Sequence, residues 1–344
     1  MSRSHPLSRW GAALLCLWLA GCGSEEPEVS KRKPVVIDTD MGTDDAMAIL
    51  FTLRRPELEV KAITVTGAGL AHCEPGVRNA LGLLALAQHE NIPVACGRTT
   101  PLRGTHAFPE EWRQPADSLN GVPLPEPQGS ASPSTAVQVL TSVLEAAEEP
   151  VTVLALGNLT NLAEAFEARP SLTGRVEQIY VMGGAVTVGG NVGDSPGVNP
   201  PNPHAEWNIY VDPYAAARVV ERAPVTLVPL DATNQVPVTE AFVRKLEADR
   251  TMPEADFVYR LLASDPGYVS SGTYFFWDPL AAAALAVEGL VTFETRKVTV
   301  IEEEGASSGR TQESATGHTV RVGLSADSAK FEAALLDTLN GRVR

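Results

Sequence analysis

The stretch Val35-Val36-Ile37-Asp38-Thr39-Asp40-Met41-Gly42-Thr43-Asp44-Asp45-Ala46-Met47-Ala48-Ile49 decides the fold. Val35–Asp38 is a short apolar run of strand character. Asp44–Arg54 places Ala46, Ile49, Leu50 and Leu53 on one face at helical spacing, so the chain passes from strand to helix through a turn crowded with carboxylates. The alternation continues outward from there. Strands are predicted at Val60–Thr66, Ile92–Cys96, Val151–Leu156, Ile179–Met182 and Val225–Leu230. Helices are predicted at Gly76–Gln88, Thr135–Ala147, Leu162–Ala168, Ala215–Arg222 and in the alanine-rich run after Pro279. Repetition of this βαβ kind implies an α/β, Rossmann-like fold, a mostly parallel sheet with helices on both faces. Arg296–Ile301 and His318–Val322 read as a hairpin around the polar stretch Glu302–Gly317.

Three Pro/Gly-rich stretches interrupt the pattern: Thr99–Pro133, Val188–His204 and Asp265–Thr273. Loops of this length in a compact domain usually serve as lids or binding loops. In such sheets the functional residues gather beyond the carboxyl ends of the strands. No internal repeat or strong boundary divides the chain, so residues 34–344 are read as a single domain with long active-site loops.

The sequence has 344 residues, 44% of them hydrophobic and 20% charged, which is ordinary for a globular protein with a sizeable core. Its formal net charge of −15 argues against binding nucleic acid or an anionic membrane through a basic surface. A neutral small molecule is indifferent to that charge. At the N-terminus, Arg3 and Arg9 precede an apolar run from Trp10 to Ala20, followed by Leu19-Ala20-Gly21-Cys22. A basic start, a short apolar run and small residues before a cut are signal-peptide features. The run is shorter than the roughly 20 apolar residues that a membrane-spanning helix needs. Leu-Ala-Gly-Cys resembles a bacterial lipobox, which implies removal of residues 1–21, lipid on the Cys22 thiol and an exported, membrane-anchored chain. Residues 22–33 are polar and unpatterned and read as a flexible tether. Of the four cysteines, Cys73 and Cys96 remain for the domain. Outside the cytoplasm they can pair, and the sequence equally allows two buried thiols.

The carboxylates carry the chemistry. Asp38, Asp40, Asp44 and Asp45 fall within eight residues and repel one another unless something positive sits among them. Hard oxygen ligands select calcium or magnesium over zinc or copper. Helix capping accounts for Asp44 and Asp45 at an N-terminus, but not for all four. Gly42 is expected to permit the tight turn. Haloacid-dehalogenase-like phosphatases also begin with a strand and Asp-x-Asp, but their second acidic pair lies far along the chain. The complete pattern Asp-x-Asp-x-Gly-x-Asp-Asp, followed by Ala46-Met47-Ala48-Ile49, resembles the signature of the inosine-uridine nucleoside hydrolase family. The resemblance extends over nearly the whole mature chain. Ala155–Leu162 is similar to the family's second calcium segment, and Val181-Met182-Gly183-Gly184 to its strand-end glycine turn. Ala205–Asn208 with Val211-Asp212-Pro213 is similar to its ribose-binding stretch, and Trp277–Ala281 to the segment that supplies the last calcium carboxylate.

The resemblance implies hydrolysis of a nucleoside N-glycosidic bond, with Ca2+ held by Asp40, Asp45, the Thr160 carbonyl and Asp278. Ribose hydroxyls and the attacking water would take the remaining positions, with Asp40 as general base. Asp44 would bond a ribose hydroxyl, and Glu206 and Asn208 would grip the rest of the sugar beside Met182. Asn191 is the candidate for the ribose 5′ end, with Asn199 and Asn202 as competitors. Pyrimidine-cleaving members tend to carry a histidine before the last calcium aspartate; here that position is Trp277. The purine-specific branch has a tryptophan there, stacked on the base so that the base is easier to protonate. Trp112 is the candidate second indole, or else a lid residue, and His106 a weaker candidate acid. Ala68-Gly69-Leu70 departs from the family, many members of which place an asparagine or aspartate there against the ribose. A lipid-anchored nucleoside or sugar receptor with little turnover is the rival reading. A homo-oligomer is compatible with the sequence.

Overall fold

The structure is a computed structural model that describes residues 1–2 and 31–343. The basic and apolar N-terminal segment, Cys22 and the tether up to Ser30 lie outside the described residues. From Arg32 onward the chain forms one unit.

Among the described residues there are nine strands: β1 (Lys33–Thr39), β2 (Leu58–Val65), β3 (Val94–Cys96), β4 (Val151–Ala155), β5 (Val176–Met182), β6 (Val225–Val228), β7 (Val291–Val300), β8 (Thr311–Glu313) and β9 (His318–Ala326). They join in one sheet in the order β3-β2-β1-β4-β5-β6-β9-β7-β8. Every pairing from β3 through β9 is parallel, and β7 runs antiparallel to both β9 and β8. Val35–Thr39, Val151–Ala155 and Val225–Val228 are buried without a break, because helices cover both faces and leave no side for polar residues. One apolar layer gathers Met47, Leu50, Phe51, Phe257, Leu280 and Phe331. The layer on the other face gathers Val36, Val153, Phe166, Ile179 and Val219.

The strand order fixes where a site can form. β1 pairs with β2 on one side (Ile37 beside Ile63) and with β4 on the other (Ile37 beside Leu154). The chain works outward from β1 to β3, then returns to begin the other half at β4. Connections leaving β1 and β4 therefore diverge and open a crevice at their carboxyl ends, the usual ligand position in open α/β sheets. The aspartate turn leaves β1 and the Leu156–Leu159 turn leaves β4.

Several expectations are corrected in detail. The polar stretch 302–317 is not only a hairpin loop: it contains β8, paired with Val298–Val300. β8 is held there because the buried Thr311 hydroxyl accepts from Ala185 N at 2.8 Å and donates to Ala185 O at 3.1 Å. Among the helices where the sequence pattern was not assigned are Glu240–Ala248, Pro253–Ser264 and Ser328–Leu339. Local chemistry marks their starts. Thr239 and Asp327 accept from Phe242 N and Lys330 N, and Pro253 takes a first-turn position. The long loops contain helices of their own, Glu110–Asp117 and Pro266–Ser271. Cys73 and Cys96 form a disulfide that ties the helix Cys73–Leu86 to the end of β3, with Cα atoms 5.8 Å apart.

Candidate active site

The turn after β1 is organised by its own last aspartate. Asp45 accepts hydrogen bonds from the Thr39 hydroxyl, from Gly42 N at 2.8 Å and from Asp40 N at 3.2 Å. It thereby closes the turn and caps the helix Thr43–Leu53. Met41, not Gly42, takes the left-handed conformation, with φ +65°. Gly42 is needed for space: a Cβ there would lie 2.9 Å from Asp44 Oδ1 and 3.1 Å from Asp45 Oδ2.

Asp40 is seated from two sides. Leu70 N donates to its Oδ2 at 3.1 Å, and Ala71 N to its backbone carbonyl at 2.8 Å. A Cβ on Gly69 would lie 2.1 Å from Asp40 Cβ, and one on Gly157 2.7 Å from it. The Ala68-Gly69-Leu70 segment, which lacks the family's ribose contact, therefore has a different task here: clearance and a backbone donor for Asp40. Asp278 enters from the first turn of the helix Trp277–Ala286. Asp45 lies within hydrogen-bonding reach of both Asp40 and Asp278. Carboxylate oxygens of Asp44, Asp45 and Asp278 come within 4.8 Å of one another.

Burial and the charge of neighbouring carboxylates push Asp40, Asp44 and Asp278 upward. Asp40 and Asp278 sit well above the usual carboxylate range, first by desolvation and then by the charge of Asp45. Asp44 is pushed up to about 7 by burial and by Asp45. Among the described residues no Lys or Arg forms an ion pair with any of these aspartates. An all-oxygen donor set this acidic and this dry fits a hard divalent cation. Asp38 is not part of the set. It lies behind the turn, accepting from Thr64 Oγ1 at 2.6 Å and Asn161 Nδ2 at 2.8 Å, with burial raising it to about 7.

The structure does not bring Thr160 to the cluster. Thr160 is the first residue of the helix Thr160–Ala168, so its carbonyl belongs to the helix's own bonding, and its hydroxyl donates to Asp212 Oδ2 at 2.7 Å. The residue of this segment on the cavity wall is Leu156, at the end of β4. Its carbonyl accepts from Asn208 Nδ2 at 2.8 Å and keeps a second lone pair.

A cavity of about 620 Å³ opens above the cluster, within the roughly 300–1,000 Å³ typical of small-molecule sites. Asp40, Asp44, Asp45 and Asp278 line it together with Leu156, Met182, Asn191, Glu206 and Asn208. Glu206 caps the short helix Trp207–Val211 and accepts from Asn208 N, Ile209 N and Gly184 N; burial pushes it up to about 7. Asn208 spends its Nδ2 on the Leu156 and Met182 carbonyls, which leaves Oδ1 for a ligand. Of the three candidate asparagines only Asn191 is on the wall, fixed by Trp207 N. Asn202 is buried and holds Ser308 O, His204 N and Ala205 N, and Asn199 is exposed elsewhere.

Aromatic rings form the rest of the lining. Phe108, Trp112 and Trp207 adjoin one another, with Trp207 stacked on Phe108 at 4.9 Å and edge-on to Trp112 at 5.2 Å. Trp277, Tyr274 and Tyr268 form a second group, the two tyrosines stacked at 4.3 Å. Trp112 and Trp277 thus line one cavity without touching each other in any recorded ring contact. Sequence reasoning missed Tyr268, Tyr274 and Phe108, and it placed Trp207 within the ribose-binding stretch without giving it a role. Phe108 and Tyr268 lie in the Pro/Gly-rich interruptions Thr99–Pro133 and Asp265–Thr273, and Tyr274 directly follows the second. His106 does not reach the cavity; it is stacked on Tyr210 and bonded to Tyr210 O and Glu304. The helix carrying Trp112 is docked by Arg113, which donates to the carbonyls of Gly67, Leu70 and Ala71 at 3.2–3.4 Å.

Residues 35–333 match the family described as inosine-uridine preferring nucleoside hydrolase. The pyrimidine-specific ribonucleoside hydrolase RihA of Salmonella enteritidis is 37% identical over 216 residues, which span 62% of this chain and 66% of RihA. Among solved structures, the plant nucleoside hydrolase PpNRh1 superposes with a TM-score of 0.80 at 31% identity, covering 90% of this chain and 99% of the other. A purine-preferring ribonucleoside hydrolase from Gardnerella vaginalis gives 0.77 at 26% identity, covering 90% and 98%.

The raised carboxylates predict a pH signature. Asp44 and Glu206, at about 7 when folded, bind more protons in the metal-free fold than in the unfolded chain between about pH 4 and 7. Their contribution to stability is therefore full at low pH and is lost as pH rises through 7. A divalent cation offsets that loss, so the gap in Tm between calcium-loaded and EDTA-treated protein should widen from about pH 5 to about pH 8. Thermal unfolding across that range measures it, and a constant or narrowing gap would contradict the reading.

Proposed function

The chain belongs to the inosine-uridine preferring nucleoside hydrolase family, and we propose that it hydrolyses the N-glycosidic bond of purine ribonucleosides with calcium, releasing ribose and free base. The observation that carries this reading is one cavity that joins a buried carboxylate cluster at the β1/β4 crevice to two groups of aromatic rings.

Asp40, Asp45 and Asp278 would hold the cation, with the Leu156 carbonyl in the place first assigned to Thr160. A hard cation supplies Lewis acidity there, lowering the pKa of water and offering positions to ribose hydroxyls. Asp40, held by Leu70 N, is the group to take the water's proton. Asp44 is free to accept from a ribose hydroxyl, since the turn is closed by Asp45. Glu206, Asn208 and Asn191 face the rest of the sugar. Each is fixed by backbone partners, and at the buried Glu206 and Asn208 a sugar lacking the matching hydroxyl leaves a polar group unpaired.

The purine preference rests on Trp277, which stands where pyrimidine-cleaving members carry a histidine. No histidine lines the cavity among the described residues. A purine held between indole faces gains a proton more easily, so stacking replaces a side-chain acid. RihA is pyrimidine-specific, so base choice is the decisive test. Inosine and guanosine should be cleaved far faster than uridine. Trp277→Ala should lower kcat for inosine by roughly 10²- to 10³-fold, about 2–4 kcal/mol. p-Nitrophenyl riboside, whose leaving group is already activated, should lose much less. Equal losses would make Trp277 a packing residue, and uridine preference in the parent protein would overturn the purine assignment. Inosine bound without release of ribose would favour the receptor reading.

The same reading includes export and lipid attachment at Cys22, supported by Arg3, Arg9, the apolar run and Leu19-Ala20-Gly21. Cys22→Ser should abolish fatty-acid labelling and shift the protein out of the lipid-anchored membrane fraction. Undiminished labelling would show the lipobox to be incidental.

A further inference from the structure

One arginine stands beside the cavity without lining it. Arg113 follows Trp112 on the helix Glu110–Asp117, is partly buried, and forms no ion pair among the described residues. Its guanidinium serves main chain instead. Nε donates to Leu70 O at 3.2 Å, and one terminal nitrogen donates to Gly67 O at 3.3 Å and Ala71 O at 3.4 Å. All three carbonyls belong to the turn that follows β2. A planar guanidinium presents its donors in a rigid fork, so it fixes these carbonyls relative to one another as a single ammonium does not. Among the described residues, no other side chain apart from Asp40 bonds to residues 67–71.

The other side of that turn faces Asp40. Leu70 N is the backbone donor to the Asp40 carboxylate, and Ala71 N donates to the Asp40 carbonyl. The Leu70 carbonyl and the Ala71 N–H are the two ends of one planar peptide unit. A positive charge on its carbonyl side polarises the unit and strengthens the hydrogen bond made on its N–H side. Clearance is equally tight, since a Cβ on Gly69 would lie 2.1 Å from Asp40 Cβ. A shift of the turn therefore either presses on Asp40 or withdraws the amide from its carboxylate. The helix has other anchors that bypass the turn. Asn79 Nδ2 donates to the carbonyls of Ala116 and Asp117, and Arg78 donates to Asp117 O at 3.1 Å. Arg113 is thus not needed merely to keep the helix in place.

We propose that Arg113 is a positioning residue for Asp40: by fixing the 67–71 turn it sets the cluster's affinity for calcium and couples cation binding to the docking of the helix Glu110–Asp117. The proposal rests on the calcium reading above and adds to it a residue that is not on the cavity wall. Such coupling is reciprocal. If the docked helix favours the cation, the cation must favour the docked helix by the same factor.

The test titrates calcium into EDTA-stripped parent protein and into Arg113→Met, Arg113→Lys and Arg78→Met, all folded at the working temperature. Methionine keeps much of the side chain's bulk and removes every donor. Arg113→Met should raise the calcium Kd by about tenfold. Arg113→Lys should raise it less, because an ammonium reaches part of the turn but cannot hold all three carbonyls. Arg78→Met, which loosens the same helix without touching the turn, should leave the Kd unchanged. The reciprocal arm reads hydrogen exchange of the amides of residues 110–117. Calcium should slow it by about fivefold or more in the parent protein and should have no effect in Arg113→Met. If Arg113→Met does not fold, Arg113→Lys and the exchange of the parent protein decide. Parent-like calcium affinity in both Arg113 variants, equal weakening by Arg78→Met, or exchange indifferent to calcium in the parent protein would make Arg113 a docking residue only, and the calcium reading would stand. A parent protein that binds no calcium would overturn both.

Discussion

The crowding of buried carboxylates at the end of β1 is the constraint on which the rest depends. Asp40, Asp45 and Asp278 are packed against one another with almost no solvent, and burial together with the charge of Asp45 raises the proton affinity of Asp40 and Asp278. Such an arrangement is unfavourable by itself and becomes favourable with a doubly charged ion among the oxygens. Much of the local backbone serves to hold it. Asp45 ties the turn shut, Leu70 N fixes Asp40, and glycines at 42, 69 and 157 leave space that any side chain would fill. The strand order supplies the location, since only between β1 and β4 do the connections diverge.

The same segment links the carboxylate end of the cavity to its aromatic end. Gly67–Ala71 gives its amides to Asp40 and its carbonyls to Arg113, and Arg113 belongs to the helix that presents Glu111 and Trp112. The disulfide Cys73–Cys96 adjoins this turn, with Cys96 Sγ 3.2 Å from where a Cβ on Gly67 would be. The position of the first aromatic group is thus coupled through one turn to the seat of Asp40. The long loop 99–133 is accordingly a structured wall, not a slack connection.

Much of this was legible in the sequence, and the exceptions have physical causes. The βαβ alternation and the aspartate turn were readable because apolar periodicity and side-chain charge are written in residue identity. Thr160 lies away from the cluster, which residue identity does not reveal because backbone direction leaves no such mark: the chain turns at Leu156, and the threonine four residues on starts the helix. Gly42 was expected to permit the tight turn and does so by leaving space, while Met41 takes the left-handed conformation, a division that residue identity does not show. The structure separates Asn191 from Asn199 and Asn202 through tertiary hydrogen bonds that no spacing encodes. Tyr268, inside a Pro/Gly-rich interruption, and Tyr274, just after it, lay unread because their place in the lining comes from stacking on each other.

The central claim is that the carboxylate cluster is a site for one hard cation, and calorimetric titration of calcium into EDTA-stripped protein tests it most directly. The account predicts one calcium per chain, with protons released near neutral pH because Asp44 and its neighbours hold them in the metal-free protein. Repeating the titration in buffers of different ionisation enthalpy measures that release. Asp278→Ala should abolish the binding. Absence of binding to the parent protein, binding without proton release, or undiminished binding to Asp278→Ala would contradict it.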